Sequence, residues 1–141
     1  MVKQIIRKGW IVIICLSFFV FRFEIVMSGS MEPMIHTGSL AVIVRNVPSI
    51  EMGDIILYQK DDLLILHRVI DQSKDSYITK GDANDSSDLS PVELSQVKGK
   101  YIFNIPYLGY FLFYVKKYIF IVLLLIIVLW RKKDENKTNN G

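Results

Sequence analysis

The chain has 141 residues, which is room for one domain with membrane anchors. Hydrophobic residues make up 51% of it, and the formal net charge is +3 at pH 7. The positive charge lies at the two ends of the chain, beside apolar runs. It therefore indicates membrane topology and anionic lipid, and it gives no reason to expect nucleic acid as a partner.

Cysteine and histidine are too scarce to favour disulfide or metal chemistry. Cys15 is the only cysteine, so neither an intramolecular disulfide nor a cysteine-based metal site can form. The two histidines, His36 and His67, are far in sequence from each other and from other metal-ligand types in a suitable pattern. We expect no metal and no cofactor.

The chain begins with a basic N-terminus, residues 1–8, and an apolar run follows. Residues 9–21 carry no charge, and the run continues to residue 26 across Arg22 and Glu24. A membrane-spanning helix needs ~20 apolar residues, and charged side chains near its end can reach the lipid headgroups. The sequence therefore predicts a transmembrane helix over residues 9–26.

A cleavable signal peptide is the alternative interpretation of this N-terminus. The basic start and the apolar run fit a signal peptide, and Val26-Met27-Ser28 is a tolerable cleavage site. Composition alone does not separate the two interpretations.

The middle of the chain, residues 27–106, predicts a small antiparallel β-domain. Its apolar and alternating segments are short, and Gly, Pro and Asp residues separate them without a helical pattern between. The predicted strands are Ser39 to Val44, Asp54 to Tyr58, Leu63 to Ile70, Ser76 to Lys80, and Val97 to Phe103. The fold class is therefore expected to be mainly β, flanked by N- and C-terminal transmembrane helices.

A second apolar segment follows at residues 107–130, and it predicts a membrane-proximal stretch leading into a second transmembrane helix. The polar tail, residues 131–141, is expected to be disordered. Basic residues flank both apolar runs on their outer sides, at Lys3, Arg7 and Lys8 and at Arg131, Lys132 and Lys133. By the positive-inside rule both ends lie in the cytoplasm, so residues 27–106, with a net charge of −4 from seven basic and eleven acidic residues, lie outside.

Three groups of residues in this middle segment suggest catalysis. Ser28-Gly29-Ser30 lies directly after the first apolar run, His67 lies on an apolar strand, and the polar loop after Gly81 carries Asp82, Asp85 and Asp88. Serine, histidine and aspartate supply a nucleophile, a general base and an orienting anion. Each signal is weak by itself, since such loops and such histidines are common in proteins without this chemistry.

Five motifs resemble those of a type I signal peptidase, both in their residues and in their order along the chain. The resemblance is to the endoplasmic-reticulum-type branch, which uses histidine where other bacterial enzymes use lysine. The motifs run in order from residue 28 to residue 109. They are Ser28-Gly29-Ser30-Met31-Glu32-Pro33, Gly53-Asp54-Ile55-Ile56, His67-Arg68-Val69-Ile70, Tyr77-Ile78-Thr79-Lys80-Gly81-Asp82, and Gly99-Lys100 through Pro106-Tyr107-Leu108-Gly109.

The resemblance implies a role for each candidate residue. Ser30 matches the nucleophile, its backbone N–H and the Ser28 hydroxyl match the oxyanion donors, and His67 matches the general base. The last acidic residue of the polar loop after Gly81 matches the family's essential aspartate, which favours Asp88. Asp82 is expected to hold the loop through Asx-type hydrogen bonds. One departure is Gly38-Ser39, where the family usually has Gly-Asp; that aspartate is not catalytic.

The resemblance also implies the substrate and its surroundings. The substrate would be an exported preprotein with a cleavable signal peptide, cut at the outer face of the cell membrane. Small pockets near Ser30, lined by strand residues 40–44, would accept small side chains before the cut. Contacts with membrane lipid and with the secretion machinery are expected. The position of Ser30 favours an uncleaved anchor, because cleavage before it would release the nucleophile from the membrane.

Two rival interpretations stay open at this point. A serine–lysine peptidase of the same broad fold would need Lys80 or Lys60 in the place of His67. A non-catalytic membrane-anchored β-module, acting as a binding or scaffold protein, would need none of these side chains.

Overall fold

A computed structural model describes residues 19–45, 47 and 49–138. The chain divides into two compact units, with the boundary between Gly109 and Tyr110. The first unit contains a β-sheet and the second is helical.

The described part of the first unit forms one seven-stranded sheet in which every neighbouring pair is antiparallel. The prediction of a mainly antiparallel β fold is thus confirmed, and each of the five predicted strands is present. The strands are β1 (Phe21–Ile25), β2 (Leu40–Val44), β3 (Ile55–Lys60), β4 (Leu63–Gln72), β5 (Ser76–Lys80), β6 (Val92–Glu93) and β7 (Val97–Ile105), with a 3-10 turn at Leu94–Gln96 before β7. The order across the sheet is β1-β2-β7-β3-β4-β5-β6.

Strand β1 differs from the predicted transmembrane helix over residues 9–26. Residues 9–18 lie outside the described part of the chain, and Phe19 and Val20 are helical. From Phe21 onward the chain pairs with β2, so the β unit begins before residue 27. The reason is the alternation of apolar and charged side chains, which is a strand period. Arg22 and Glu24 lie on one face of β1 and form an ion pair with each other, instead of reaching for lipid headgroups.

Strands β3 and β4 form a hairpin that contributes residues to each of the three buried clusters described below. The turn between them is the predicted one at Asp61 and Asp62, and Asp61 has a φ of 52°, a left-handed conformation that aspartate tolerates. Burying one large apolar side chain contributes ~1.5–3 kcal/mol to folding, so the clusters on this hairpin anchor the unit. One buried cluster contains Ile56, Tyr58, Val69 and Val92, and two others contain Met31, Ile35 and Ile55, and Ala41, Ile43 and Leu57.

Helix α1 (Leu108–Thr138) includes all described residues of the second unit, which begins at Tyr110. Its segment Leu108–Trp130 has 23 residues and a mean hydropathy of 2.5, and it is the one helix among the described residues long and apolar enough to cross a membrane. At 1.5 Å per residue it is ~35 Å long, against a hydrocarbon core of ~30 Å. The apolar segment overlaps the predicted 107–130, and its crossing of a membrane stays a prediction. The helix continues to Thr138, where the sequence predicts disorder from residue 131; residues 139–141 lie outside the described part.

Candidate active site

The segment between β1 and β2, residues 26–39, carries Ser30 and is called the serine loop below. Backbone hydrogen bonds close its ends: Val26 N–H donates to Ser39 O (2.9 Å), and Gly38 N–H donates to Val26 O (2.7 Å). Inside the loop, Glu32 Oε1 accepts hydrogen bonds from the backbone N–H (3.3 Å) and the hydroxyl (3.1 Å) of Thr37. The loop is therefore held by the chain itself at both its ends and its middle.

Two apolar side chains fasten the serine loop to the sheet. Met31 is 1% exposed and Ile35 is fully buried, and both pack with Ile55 of β3. Because Met31 follows Ser30 directly, its burial fixes the backbone from which the Ser30 hydroxyl projects. A half-buried serine next to a buried methionine is thus a consequence of where the loop is anchored.

His67 lies on β4, opposite Ile56 of β3, and is 7% exposed. Its Nε2 is 3.2 Å from Ser30 Oγ, and its Nδ1 is 2.7 Å from Asp88 Oδ2. An ionised carboxylate has no proton to give, so Nδ1 donates to Asp88 and Nε2 accepts the Ser30 hydroxyl. The structure therefore brings Ser30, His67 and Asp88 together in one hydrogen-bonded chain.

The Asp88 carboxylate receives further hydrogen bonds from protein hydroxyls. Thr79 Oγ1 donates to Oδ2 at 2.6 Å and the Tyr58 hydroxyl donates to the same oxygen at 3.0 Å. Burial by itself would raise the pKa of Asp88, but the hydrogen bond and charge of His67 and the hydrogen bonds from Thr79 and Tyr58 outweigh it and hold the pKa below its ordinary value. Asp88 is therefore an anion at neutral pH, as a partner for imidazolium requires.

The loop that supplies Asp88, residues 81–88, is called the acid loop below, and it is tied to Ser30 as well. Ala83 N–H donates to Ser30 O at 2.9 Å, and Asp88 N–H donates to Thr79 O at 2.8 Å. Gly81 runs so close to Ser30 that a Cβ there would lie 2.6 Å from the Ser30 carbonyl oxygen, so no side chain fits at this position. The acid loop thus contacts the backbone of Ser30 and also carries Asp88.

Asp82 lies in the acid loop but does not contact His67. Its two carboxylate oxygens accept hydrogen bonds from Arg68 Nε (2.8 Å) and Nη2 (2.7 Å), and Arg68 Nη1 donates to Gly53 O (2.8 Å). The hydrogen bond and charge of Asp82 raise the pKa of Arg68 against the effect of burial. The expected Asx-type role of Asp82 is thus replaced by a two-point ion pair between the loop and β4.

The remaining candidates divide between the site and its surroundings. Ser28 Oγ is 3.3 Å from Ser30 Oγ, so the structure places Ser28 beside the candidate nucleophile. Lys80 lies opposite Arg68 on β5, Lys60 lies at the end of β3, and the hydrogen-bond partners of Ser30 Oγ in the described structure are His67 and Ser28. Neither lysine therefore takes the position that a serine–lysine mechanism needs.

A groove of about 600 Å³ opens beside Ser30 and His67, and most of its lining is apolar. The lining differs from the expectation that residues 40–44 form it. Leu40 to Ile43 are buried, and Ala41 and Ile43 pack with Leu57 in the core. The groove is lined instead by Glu24, Ile25, Val26, Met27, Ser28, Ser30, Met31, Leu57, Leu63, Leu64, Ile65, Leu66, His67 and Asn84.

No pattern in the sequence predicts that Tyr58, Thr79 and Arg68 belong to the site. Arg68 and Thr79 lie inside recognisable motifs, but a motif does not say which atoms its side chains contact. Tyr58 is nine positions from His67, 28 from Ser30 and 30 from Asp88, and the strand register and the path of the acid loop bring it to Asp88. Across residues 19–45, 47 and 49–130 no group of three or more His, Cys, Asp and Glu side chains is arranged to hold a metal ion.

Comparison with known proteins finds relatives of one kind. The chain is 35% identical to Signal peptidase I W of Bacillus subtilis (strain 168) over 96 residues, which are 62% of this chain and 50% of that protein. It is 38% identical over 72 residues to the Signal peptidase complex catalytic subunit SEC11 of Candida dubliniensis, covering 47% of this chain and 43% of the relative. A SEC11 subunit from Arthroderma otae is 46% identical over 48 residues, 33% of this chain and 24% of the relative.

The chain thus spans half or less of the length of these curated relatives. No protein-family model matches it.

Proposed function

Since the chain is a relative of the type I signal peptidases of the endoplasmic-reticulum-type branch, we propose that it is a membrane-bound serine endopeptidase that removes signal peptides from exported preproteins. The observation that carries the proposal is the hydrogen-bonded chain from Ser30 Oγ through His67 to Asp88 Oδ2, with distances of 3.2 and 2.7 Å. A scaffold or binding module has no chemical reason to hold these three side chains in line beside a groove.

In the proposed mechanism Ser30 Oγ attacks the scissile carbonyl carbon while His67 Nε2 takes the hydroxyl proton. The imidazolium that forms is stabilised by the Asp88 carboxylate on its other nitrogen. His67 then gives the proton to the leaving amine as the C–N bond breaks, which leaves an acyl-serine. Water, deprotonated by the same histidine, attacks that ester and releases the cleaved signal peptide and free Ser30.

The proposed oxyanion donors are the backbone N–H of Ser30 and the hydroxyl of Ser28. Ser28 Oγ lies 3.3 Å from Ser30 Oγ, which is close enough for its hydroxyl to reach an oxygen on the attacked carbon. Loss of one such donor typically lowers turnover ~10²–10³-fold. No cofactor takes part in these steps.

The proposed substrate path is the apolar groove beside Ser30. Met27, Leu63 and Leu64 are exposed and line it, while Ile65 and Leu66 are partly buried. Such a lining suits the apolar and small side chains that end a signal peptide better than it suits charged ones. The apolar groove would thus select a short apolar segment of the substrate, and the position of Ser30 would determine which peptide bond is cleaved.

The proposed location is the cell membrane, in a multi-pass arrangement with the peptidase unit outside the cytoplasm. Basic residues 1–8 and the basic segment after Trp130 would face the cytoplasm. Helix segment Leu108–Trp130 would cross the bilayer, and residues 9–18 would begin the first anchor. Contacts with lipid and with the secretion machinery belong to the same proposal, because the signal peptide leaves the membrane where the groove must lie.

The test is cleavage of a signal-bearing preprotein by the full chain purified in detergent. We expect a single cut, located by mass spectrometry of both products, and its loss in Ser30→Ala. The matched control is Ser73→Ala, which changes an exposed serine distant from the site in sequence. Absence of cleavage, or cleavage that Ser30→Ala leaves intact, contradicts the proposal.

A further inference from the structure

Three donors converge on a single oxygen of Asp88. His67 Nδ1 is 2.7 Å, Thr79 Oγ1 is 2.6 Å and the Tyr58 hydroxyl is 3.0 Å from Asp88 Oδ2. The mechanism above uses only the first of these contacts. The other two come from side chains that are almost wholly buried: Tyr58 is 2% exposed and Thr79 is fully buried.

The strand register explains how the two hydroxyls reach the same carboxylate. Tyr58 pairs with Ile65 and Thr79 pairs with Val69, so each lies opposite a residue two positions from His67. Residues two apart on a strand share a face, so Tyr58 and Thr79 flank the imidazole diagonally from its two neighbouring strands. The rings of Tyr58 and His67 meet edge to face, with centroids 6.4 Å apart.

We propose that the hydroxyl groups of Tyr58 and Thr79 are positioning groups that hold the Asp88 carboxylate on His67 Nδ1. The inference deepens the proposed function and rests on it. Asp88 stands at the end of the acid loop, which is held by backbone hydrogen bonds and by the Arg68–Asp82 ion pair, and none of these contacts involves the Asp88 carboxylate. Without the two hydroxyls, the carboxylate has only His67 to orient it, and the ring nitrogen loses its fixed anion.

Both hydroxyls are suited to a permanent donor role. Burial raises the pKa of Tyr58 to about 12, with the neighbouring Asp88 anion acting in the same direction, so its hydroxyl keeps its proton at neutral pH. A threonine hydroxyl does not ionise. The other charged groups on this side of Asp88 are Lys60 and Asp85, which line the open cavity next to it. A charge-assisted hydrogen bond is about twice as strong as a neutral one, so these bonds favour one carboxylate orientation.

Thr79→Val and Thr79→Ser form the first test. Valine has the shape of threonine without the hydroxyl, whereas serine keeps the hydroxyl and loses a methyl group. We expect Thr79→Val to lower kcat ~10–10²-fold with KM within about twofold, as loss of a hydrogen bond to a charged group implies. Thr79→Ser should recover most of the turnover. Equal loss in both variants would overturn the proposal, because it would make the side-chain packing and not the hydroxyl responsible.

Tyr58→Phe is the second test, and Tyr77→Phe is its matched control. Tyr77 packs against the buried cluster that contains Tyr58. It is not among the side chains that donate hydrogen bonds to Asp88. We expect a fall in kcat of ~10-fold in Tyr58→Phe and wild-type kcat in Tyr77→Phe. Equal kcat in the two variants would overturn a role for the Tyr58 hydroxyl.

A spectroscopic measurement separates failure of this inference from failure of the proposed function. The Nδ1 proton of His67, held on a carboxylate, gives a far-downfield nuclear magnetic resonance signal that requires no substrate. We expect Thr79→Val and Tyr58→Phe to move or broaden that signal, with thermal midpoints near those of Thr79→Ser and Tyr77→Phe. A changed signal in a chain that cleaves no preprotein would support the positioning of Asp88 and contradict the peptidase. Unchanged signals and turnover in a chain that does cleave would overturn the positioning alone.

Discussion

Arg68, which directly follows His67 on β4, donates two hydrogen bonds of 2.8 and 2.7 Å to the Asp82 carboxylate. Neighbouring residues of a strand point to opposite faces, so β4 presents the candidate base on one face and the clamp for the acid loop on the other. The same loop donates a hydrogen bond from Ala83 N–H to Ser30 O and ends at Asp88. Arg68 and Asp82 therefore set the distance between strand and loop without contacting the reacting atoms.

We expect Asp82→Ala to lower stability and activity together. Removing the carboxylate leaves a partly buried guanidinium without its partner, and the cost should be about 1–2 kcal/mol in the free energy of unfolding, reduced by the partial exposure of both groups. Thermal unfolding measured beside kinetics tests this, with Asp85→Ala as the control from the same loop. A well-folded but inactive Asp82→Ala would show that Asp82 acts in the chemistry.

A double-mutant cycle with Arg68→Met and Asp82→Ala measures the pair directly. Because the two groups contact each other, the double variant should be less destabilised than the sum of the single variants. Additive losses would show that the ion pair contributes nothing beyond two separate side chains.

Asp88→Asn should lower kcat far more than Asp85→Asn. The amide keeps the size of the carboxylate but carries no charge for imidazolium, and in a serine triad the corresponding change lowers turnover ~10⁴-fold. Asp85 belongs to the same loop, yet the ring nitrogens of His67 bond to Ser30 and Asp88. Similar losses in the two variants would contradict the assignment of Asp88, whatever the thermal midpoints.

The sequence predicted the strands, because each depends on a local pattern. The assignment of Ser30, His67 and Asp88 rests on motif resemblance and stays a prediction, while the structure brings the three side chains together in one hydrogen-bonded chain. Two features were missed for physical reasons. Strand β1 alternates apolar and charged residues, but a longer apolar run precedes it and dominated the interpretation. The contacts of Tyr58 and Thr79 with Asp88 depend on register between strands and on how a loop folds back, and neither follows from spacing along the chain.

The groove illustrates the same limit. Residues 40–44 were expected to line it because they are apolar and near Ser30 in sequence. In the structure Ala41 and Ile43 of β2 pack with Leu57 of β3 in the core. The groove is lined by the end of β1, the serine loop and β4, together with Leu57 and Asn84. Strand β4 lies far from Ser30 in sequence, and the end of β1 falls within the predicted helix over residues 9–26.

Asp54 gives a prediction of how stability depends on pH. Burial alone would raise its pKa, but the hydrogen bond and charge of Lys100, at 2.6 Å, and a bond from Glu51 N–H hold the pKa below its ordinary value. A lowered carboxyl pKa adds stability that is present above the unfolded-state pKa of ~3.9 and is lost as the pH falls through the folded-state value. We expect the thermal midpoint to fall on acidification below about pH 4.

Asp54→Asn isolates this contribution. The variant should be less stable than wild type at pH 7 and should lose less stability between pH 5 and pH 3, because one proton-linked group is gone. Lys100→Met removes the partner of Asp54 and should likewise reduce the stability that is lost between pH 5 and pH 3. An acid profile of Asp54→Asn that parallels wild type would contradict the role of this pair.

Membrane topology is tested by labelling single cysteines in intact cells after Cys15 is replaced. Ser73 lies in the exposed turn between β4 and β5, so a cysteine there should react with a membrane-impermeant reagent if the peptidase unit is outside the cytoplasm. A cysteine at Asn139, beyond the basic residues that follow Trp130, should react only after the membrane is permeabilised. Replacing Arg131, Lys132 and Lys133 with glutamine should weaken that preference, because cytoplasmic retention of the helix end depends on its positive charge. Labelling at both sites in intact wild-type cells would contradict the two-span arrangement and leave a single anchor at the N-terminus.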